Sequence, residues 1–223
     1  MPINNFTYQK LKLKDDYEGK AEATFIQSDK NIAGQKSVLY IHGFVDYFFH
    51  PHVADEFHAH GFNFYALELR KYGHSYLSHQ HPNYCKDLNE YFEEIDLAIE
   101  KIYAIDKAEI YFLGHSTGGL ITSLYLEEGN KKALISAMIL NSPFLEINAP
   151  WLVRKISIPI LKIATMISPY ANIPNALSPL YPISLHKDHK GEWDFNLEFK
   201  PIKGFPAYFS WLLAIKKGQD KVK

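Results

Sequence analysis

The stretch Ile110-Tyr111-Phe112-Leu113-Gly114-His115-Ser116-Thr117-Gly118-Gly119 limits what this chain can fold into more than any other. An apolar run stops at a glycine, a serine follows, and two glycines precede Leu120, Ile121, Leu124 and Tyr125, which fall at helical spacing. The pattern predicts a buried strand, a sharp turn and a helix. In a Gly-x-Ser-x-Gly turn the serine occupies a strained conformation at the carboxyl end of a sheet strand, and its neighbours are small because strand and helix backbones crowd there. Ser116 is therefore the candidate nucleophile. The competing reading is a glycine-rich turn whose serine only caps the helix.

Other segments repeat the strand and helix alternation. Ser37 to Ile41 is a short, continuously apolar run, as expected of a strand buried on both faces, and it leads directly into His42-Gly43-Phe44. Pro51 to Gly61 predicts a short helix, Phe62 to Leu69 another strand, and Arg70 to Ser75 a loop at the carboxyl edge of the sheet. Asp87 with Glu90 has capping-box spacing, and Leu88, Tyr91, Phe92, Ile95, Ile99 and Ile102 share one face of the helix that follows. Ile135 to Leu140 is the next buried strand, ending at Asn141-Ser142-Pro143. Strands alternating with helices imply right-handed crossovers and an α/β fold with a mainly parallel sheet covered on both faces. Residues 1–36 alternate more weakly and predict one or two edge strands. Beyond Phe144, prolines interrupt amphipathic pieces and no clean strand run occurs, so about residues 147–210 are expected to form a cap of short helices and loops over the cleft.

The 223 residues suffice for one substantial core, and 47% hydrophobic with 15% aromatic residues excludes a disordered chain. A formal net charge of −1 offers no sustained field for nucleic acid. The single cysteine, Cys85, cannot form an internal disulfide, and the polar segment Met1 to Asp16 lacks a signal-peptide core, which together point to the cytoplasm. Trp151 to Ile167 is apolar but carries Arg154, Lys155 and Lys162, too many charges for a membrane span.

Acyl transfer at a serine needs a base, an acid to orient that base, and amide donors for the tetrahedral oxyanion. The donors fall on the backbone N–H groups of Thr117, directly after the nucleophile, and Phe44, directly after His-Gly. The base and acid find no good candidate. His186 and His189 are the only histidines after Ser116, and with Asp188 they lie in a charged segment that reads as a solvated loop. His115 is expected to point away from the cleft. Glu146 is a conceivable acid, though the simpler reading is a partner in a salt bridge at the cap entry, and Asp220 lies in a charged tail with no strand before it. The pairs His50/His52, His58/His60 and His79/His81 have no recognised zinc spacing, and no metal or other cofactor is expected.

These residues resemble the α/β-hydrolases of the serine aminopeptidase-like, monoacylglycerol lipase and lysophospholipase branch. The likeness rests on His42-Gly43-Phe44 with Asp46-Tyr47-Phe48-Phe49, on Leu67 to Ser75, on Gly114 to Gly119, and on Asn141-Ser142-Pro143-Phe144. It extends to Gly191-Glu192-Trp193-Asp194 with Lys200-Pro201. The resemblance implies an α/β-hydrolase core over 1–146, a cap over 147–210 and the start of a return to the core over 211–223. It implies hydrolysis of carboxylic esters of the monoacylglycerol or lysophospholipid kind through an acyl-serine intermediate, with Ser116, Thr117 and Phe44 in the roles given above. Trp151, Leu152, Ile156, Ile160, Leu161 and Met166 would then either line an acyl site or merely pack the cap. The family's cap is followed by two more strands that bear the triad aspartate and histidine, and no counterpart precedes Lys223. The expectation is a truncated hydrolase of impaired activity, with an exposed sheet edge open to self-association. The alternative is a non-catalytic remnant that at most binds a small acyl ligand.

Overall fold

The alternating N-terminal segment forms a hairpin of β1 (Phe6–Lys12) and β2 (Glu22–Ser28), with Asp16 and Gly19 exchanging backbone hydrogen bonds in the turn between them. The computed structural model describes residues 3–147, 151–174 and 178–223, with no side-chain description for 151–157. The apolar run Ser37–Ile41 is β3, buried at every position. β4 (Asn63–Glu68) pairs parallel with β3 and antiparallel with β2, so β1 is an edge strand as expected whereas β2 is an inner one. β5 (Ile110–His115) and β6 (Ile135–Asn141) extend the parallel part, giving the order β1-β2-β4-β3-β5-β6.

Side chains alternate across the sheet and the two faces are covered separately. Val38, Tyr40, Phe64 and Ala66 pack on one side with Ala54 of α1 (Pro51–Ala59). Leu39, Ile41, Leu67 and Phe112 face the other, beneath α2 (Phe92–Asp106) and α3 (Thr117–Glu128). The capping box at Asp87 and Glu90 forms as its spacing predicts, though it opens a 3-10 turn, Leu88–Tyr91, from which α2 continues with Ile95, Ile99 and Ile102 fully buried. The chain steps from β3 outward to β4 and then back across to β5, so the crossovers on either side of β3 diverge. The carboxyl ends of β3 and β5 therefore border an open crevice, the place where ligands bind in sheets of this kind.

Past β6 come α4 (Trp151–Ile167), with Pro159 inside it, and α5 (Leu180–Leu185). Two strands unannounced by any periodicity, β7 (Asn172–Ile173) and β8 (Ala207–Tyr208), pair antiparallel; at two residues each they are too short to leave a pattern. The final helix, α6 (Phe209–Lys221), packs on α3 and α4. At Gly218 a side chain would run into Leu88 and Leu124. β6 ends the sheet, so the strand expected to be buried has no buried residue: nothing described covers its outer side, and its Ile139 and Leu140 are 45% and 36% exposed. Among the described residues no helix is long and apolar enough to cross a membrane.

The loop after β4 is pinned by buried charge. Arg70 forms a forked pair with Glu94, its closest N–O distance 2.6 Å, and reaches Glu93 at 2.9 Å. The Lys71 ammonium, wholly buried, lies 2.8 Å from Asp16 and 2.6 Å from Glu18, above the Tyr17 ring. Removing one member of such a cluster strands the others in a poorly solvated site. Lys71→Met is expected to cost about 3–5 kcal/mol in urea unfolding at neutral pH.

Candidate active site

Ser116 sits between β5 and α3 with φ 53° and ψ −118°, a conformation that is costly for any residue with a side chain. Three contacts hold it there. The Ser116 N–H donates to the Asn141 carbonyl at 3.0 Å, the Phe144 N–H donates to the Ser116 carbonyl at 2.9 Å, and the Gly119 N–H donates to the same carbonyl at 3.0 Å. The segment Asn141 to Phe144 thus clamps the turn from the side of β6. The flanking glycines are required by close approach. A β-carbon on Gly118 would stand 2.5 Å from the His42 carbonyl oxygen and closer still to that of Ile41, and one on Gly114 would stand 2.6 Å from Thr122 Oγ1.

The end of β3 is organised by His42, a residue to which the sequence assigned no role. Its Nδ1 lies 2.8 Å from the Gly43 carbonyl and its Nε2 accepts from the Leu69 N–H at 3.1 Å, which joins the ends of β3 and β4. Burial lowers its pKa, and with both nitrogens engaged it serves as a neutral strut. Val45 then takes φ 48° and turns the chain over the crevice.

A cavity of about 380 Å³ opens at this point. Phe44, Ser116 and Thr117 all line it, so the proposed nucleophile and the two residues whose amides were assigned to the oxyanion meet in one place. Thr117 is the first residue of α3, where an amide has no carbonyl one turn back to bond within the helix. Trp211 of α6 stacks on Phe44 with ring centroids 4.0 Å apart and forms an apolar wall. Tyr181, Pro182, Lys200 and Pro201 close the cavity from the cap side. The wall is mostly apolar, with Asp46, His115, Ser142 and Lys200 as polar members.

Residues 33–190, well over half of the chain, match the serine aminopeptidase family, S33. The chain belongs to that family. No curated protein matches it by sequence. In fold it is similar to a soluble variant of monoglyceride lipase from Saccharomyces cerevisiae in complex with a substrate analog: TM-score 0.69, 17% identity, 99% of this chain and 71% of the lipase covered. It is also similar to the monoacylglycerol lipase of Paleococcus ferrophilus, with TM-score 0.62 and 18% identity over 97% of this chain and 71% of the other. A thermostable carboxyl esterase from Bacillus coagulans, in complex with glycerol, gives TM-score 0.64 and 14% identity over 96% and 73%. At such identities the likeness is one of fold.

Other candidates in this S33 hydrolase lie elsewhere or differ from expectation. His186 is not solvated. It is 3% exposed, its Nε2 lies 3.1 Å from the Phe195 carbonyl, and its Nδ1 accepts from the Asp188 N–H, so it ties residues 186–195 together. A local charge pattern cannot reveal this, because the burial comes from Phe195, nine residues on. His189 and Asp188 are exposed beside it. Glu146 lies 3.6 Å from Lys223, and Asp220 pairs with Lys216 one turn back. His115, expected to point away, lines the cavity: its ring sits against Gly43 at the end of β3, and its Nδ1 is buried without a hydrogen-bond partner among the described residues. Of the cap residues expected to face an acyl group, Ile160 and Met166 are 60% and 85% exposed and do not line the cavity. The side chains of Trp151, Leu152 and Ile156 lie outside the described residues. Among the described residues no cluster of histidine, cysteine and carboxylate side chains is arranged to hold a metal ion.

Two measurements test this geometry. Ser116→Gly relieves the unfavourable backbone and is expected to stabilise the fold by about 1 kcal/mol in urea unfolding while removing the hydroxyl of the candidate nucleophile. His50, stacked on Phe49, has its pKa lowered to about 4, by burial first and with Lys200 contributing, against the pull of Asp46. The folded value lies below the unfolded one, so the unfolded chain binds more protons in between, and the associated stability is complete above about pH 6.5 and lost as the pH falls toward 4. Unfolding free energy should drop by about 3 kcal/mol across that window, and His50→Phe should flatten the slope.

Proposed function

We propose that this protein is a serine ester hydrolase in which Ser116 attacks the carbonyl of a carboxylic ester, of the monoacylglycerol or lysophospholipid kind, and the N–H groups of Phe44 and Thr117 receive the oxyanion. The observation that carries this reading is the strained backbone of Ser116 in a cavity bordered by both donor residues, at the crevice between β3 and β5. A conformation that costs free energy and is clamped from three sides makes sense where the side chain must be presented to a ligand. The apolar wall of Phe44, Phe144, Tyr181 and Trp211 suits an acyl group, and the lipase and esterase structures that share the fold act on or were seen with glycerol-related molecules. The reading includes a core over 1–146, a cap over 147–210 and a return over 211–223, a cytoplasmic site of action inferred from the single buried Cys85, and self-association along the exposed edge of β6.

A second reading is favoured by one observation. Among the described residues no hydrogen bond joins Ser116 Oγ to a histidine, and the carboxylate of Asp46 is taken up by Lys200. Without a base the site would bind a small acyl ligand and turn it over slowly, since oxyanion donors and binding retain part of the rate when a triad member is absent.

Hydrolysis of p-nitrophenyl butyrate and of monobutyrin by this chain, beside its Ser116→Ala variant, separates the two. The expected outcome is a Ser116-dependent rate at least about tenfold above the variant, raised by added imidazole acting as an external base. Equal rates for the two proteins, with and without imidazole, would leave ligand binding as the function.

A further inference from the structure

Two stretches that the family resemblance singled out, far apart in sequence, lie against each other. Residues 193–201 of the cap run alongside residues 46–52 in the opposite direction. Trp193 stacks on His52 with ring centroids 4.6 Å apart, and Phe195 packs on Phe49 at 5.2 Å. The Asn196 N–H donates to Tyr47 Oη at 2.6 Å, and Phe199 meets the Tyr47 ring edge-on at 5.3 Å. Last in line, Lys200 Nζ reaches Asp46 Oδ1 at 2.8 Å with both side chains buried, 6% and 4% exposed. The ammonium also lies 4.9 Å from the centre of the Phe49 ring and 5.5 Å from that of Phe195. The upstream end of the segment is itself anchored, because Trp193 and Leu185 share a backbone hydrogen bond and His186 holds Phe195.

The pairing ends at a demanding position. Asp46 directly follows Val45, a β-branched residue at φ 48°, and Val45 directly follows Phe44. Such a residue stays in the left-handed region only where its surroundings hold it. On the far side the loop is tied by the Phe48 N–H to Glu68. On the cavity side the tie is Lys200, which carries the charge that the buried Asp46 requires; burial favours the neutral carboxyl, yet the ammonium keeps its pKa below the usual range.

We propose that residues 193–201 form a strap that fixes the loop bearing the oxyanion donor, and that Lys200 is its positioning residue, setting the direction of the Phe44 N–H through Asp46. This rests on the reading of Phe44 as a donor. Lys200 lines the same cavity, but its ammonium is taken up by Asp46, through which it acts. It makes the cap part of the catalytic geometry as well as a cover.

The test compares the full chain with Lys200→Met and with Lys200→Met/Asp46→Asn. The single variant strands a buried carboxylate and is exposed to unfolding, whereas the double variant removes both charges and leaves a neutral pair. Three quantities are read: the thermal midpoint, the phosphonylation of Ser116 by a fluorophosphonate resolved into KI and kinact, and amide hydrogen exchange at Phe48 and Asn196. In the double variant the thermal midpoint is expected to stay within about 3 °C of the parent, kinact to fall about tenfold at unchanged KI, and exchange at Asn196 to quicken about tenfold. A double variant that labels at the parent rate with unchanged exchange overturns the proposal. So does one that melts far below the parent, since Lys200 would then support the whole fold. If the parent itself is not labelled, the hydrolase reading fails separately and exchange decides for the strap: faster exchange at Asn196 in the double variant upholds it, and unchanged exchange overturns it.

Discussion

Gly118, in the first turn of α3, lies so close to the carbonyl oxygens of Ile41 and His42 that no side chain fits between helix and strand. That approach sets the rest of the site. It brings the N-terminus of α3 against the end of β3, which places Thr117 and Phe44 on the same cavity wall, and it leaves Ser116 only the conformation with φ 53° in which to join β5 to α3. The strain is borne by backbone hydrogen bonds to the Asn141 carbonyl and from the Phe144 N–H, so the neighbouring strand shares in holding the serine. A wider spacing would relax Ser116 and move Thr117 away from Phe44 together.

Buried charge plays a matching part around the crevice. Glu68 ends β4 and Arg70 and Lys71 follow it, and each is engaged by a partner from elsewhere in the chain: His74, Glu94, and Asp16 with Glu18. Such pairs add little net stability against apolar replacements, but they tolerate only a narrow range of arrangements. Loops that hydrophobic contact alone would hold loosely are thereby given fixed positions. The apolar core supplies cohesion, and the ion pairs determine where its loose ends lie.

The sequence conveyed the core well because the core is governed by short-range rules. Continuous apolar runs give β3 and β5, helical spacing gives α2, and the glycines around Ser116 reveal a crowded turn, whereas the apolar run of β6 marks the strand but not its place at the exposed edge. Cap and polar contacts were harder to read, since they depend on partners remote in the chain. Nothing near Lys200 announces Asp46, and nothing near His186 announces that Phe195 will bury it. The same limit applies to β2, whose alternation suggests an edge but which lies inside the sheet because β4 pairs with its free side. His42 does carry a signal in the sequence. A histidine between a buried strand and a glycine has few hydrogen-bonding options except the end of an adjacent strand.

β6 combines two conditions seldom met in one strand. It borders the sheet, with an outer row of backbone groups that nothing described here pairs, and its last residue, Asn141, supplies the carbonyl on which the Ser116 amide hangs. Ser116 is thus one hydrogen bond from the unpaired edge of the sheet. A strand laid along that edge would damp the motion of Asn141 and stiffen the serine without entering the cavity, and fraying of the edge would loosen it by the same route. The sharpness of the elbow is in this sense a property of the sheet's boundary.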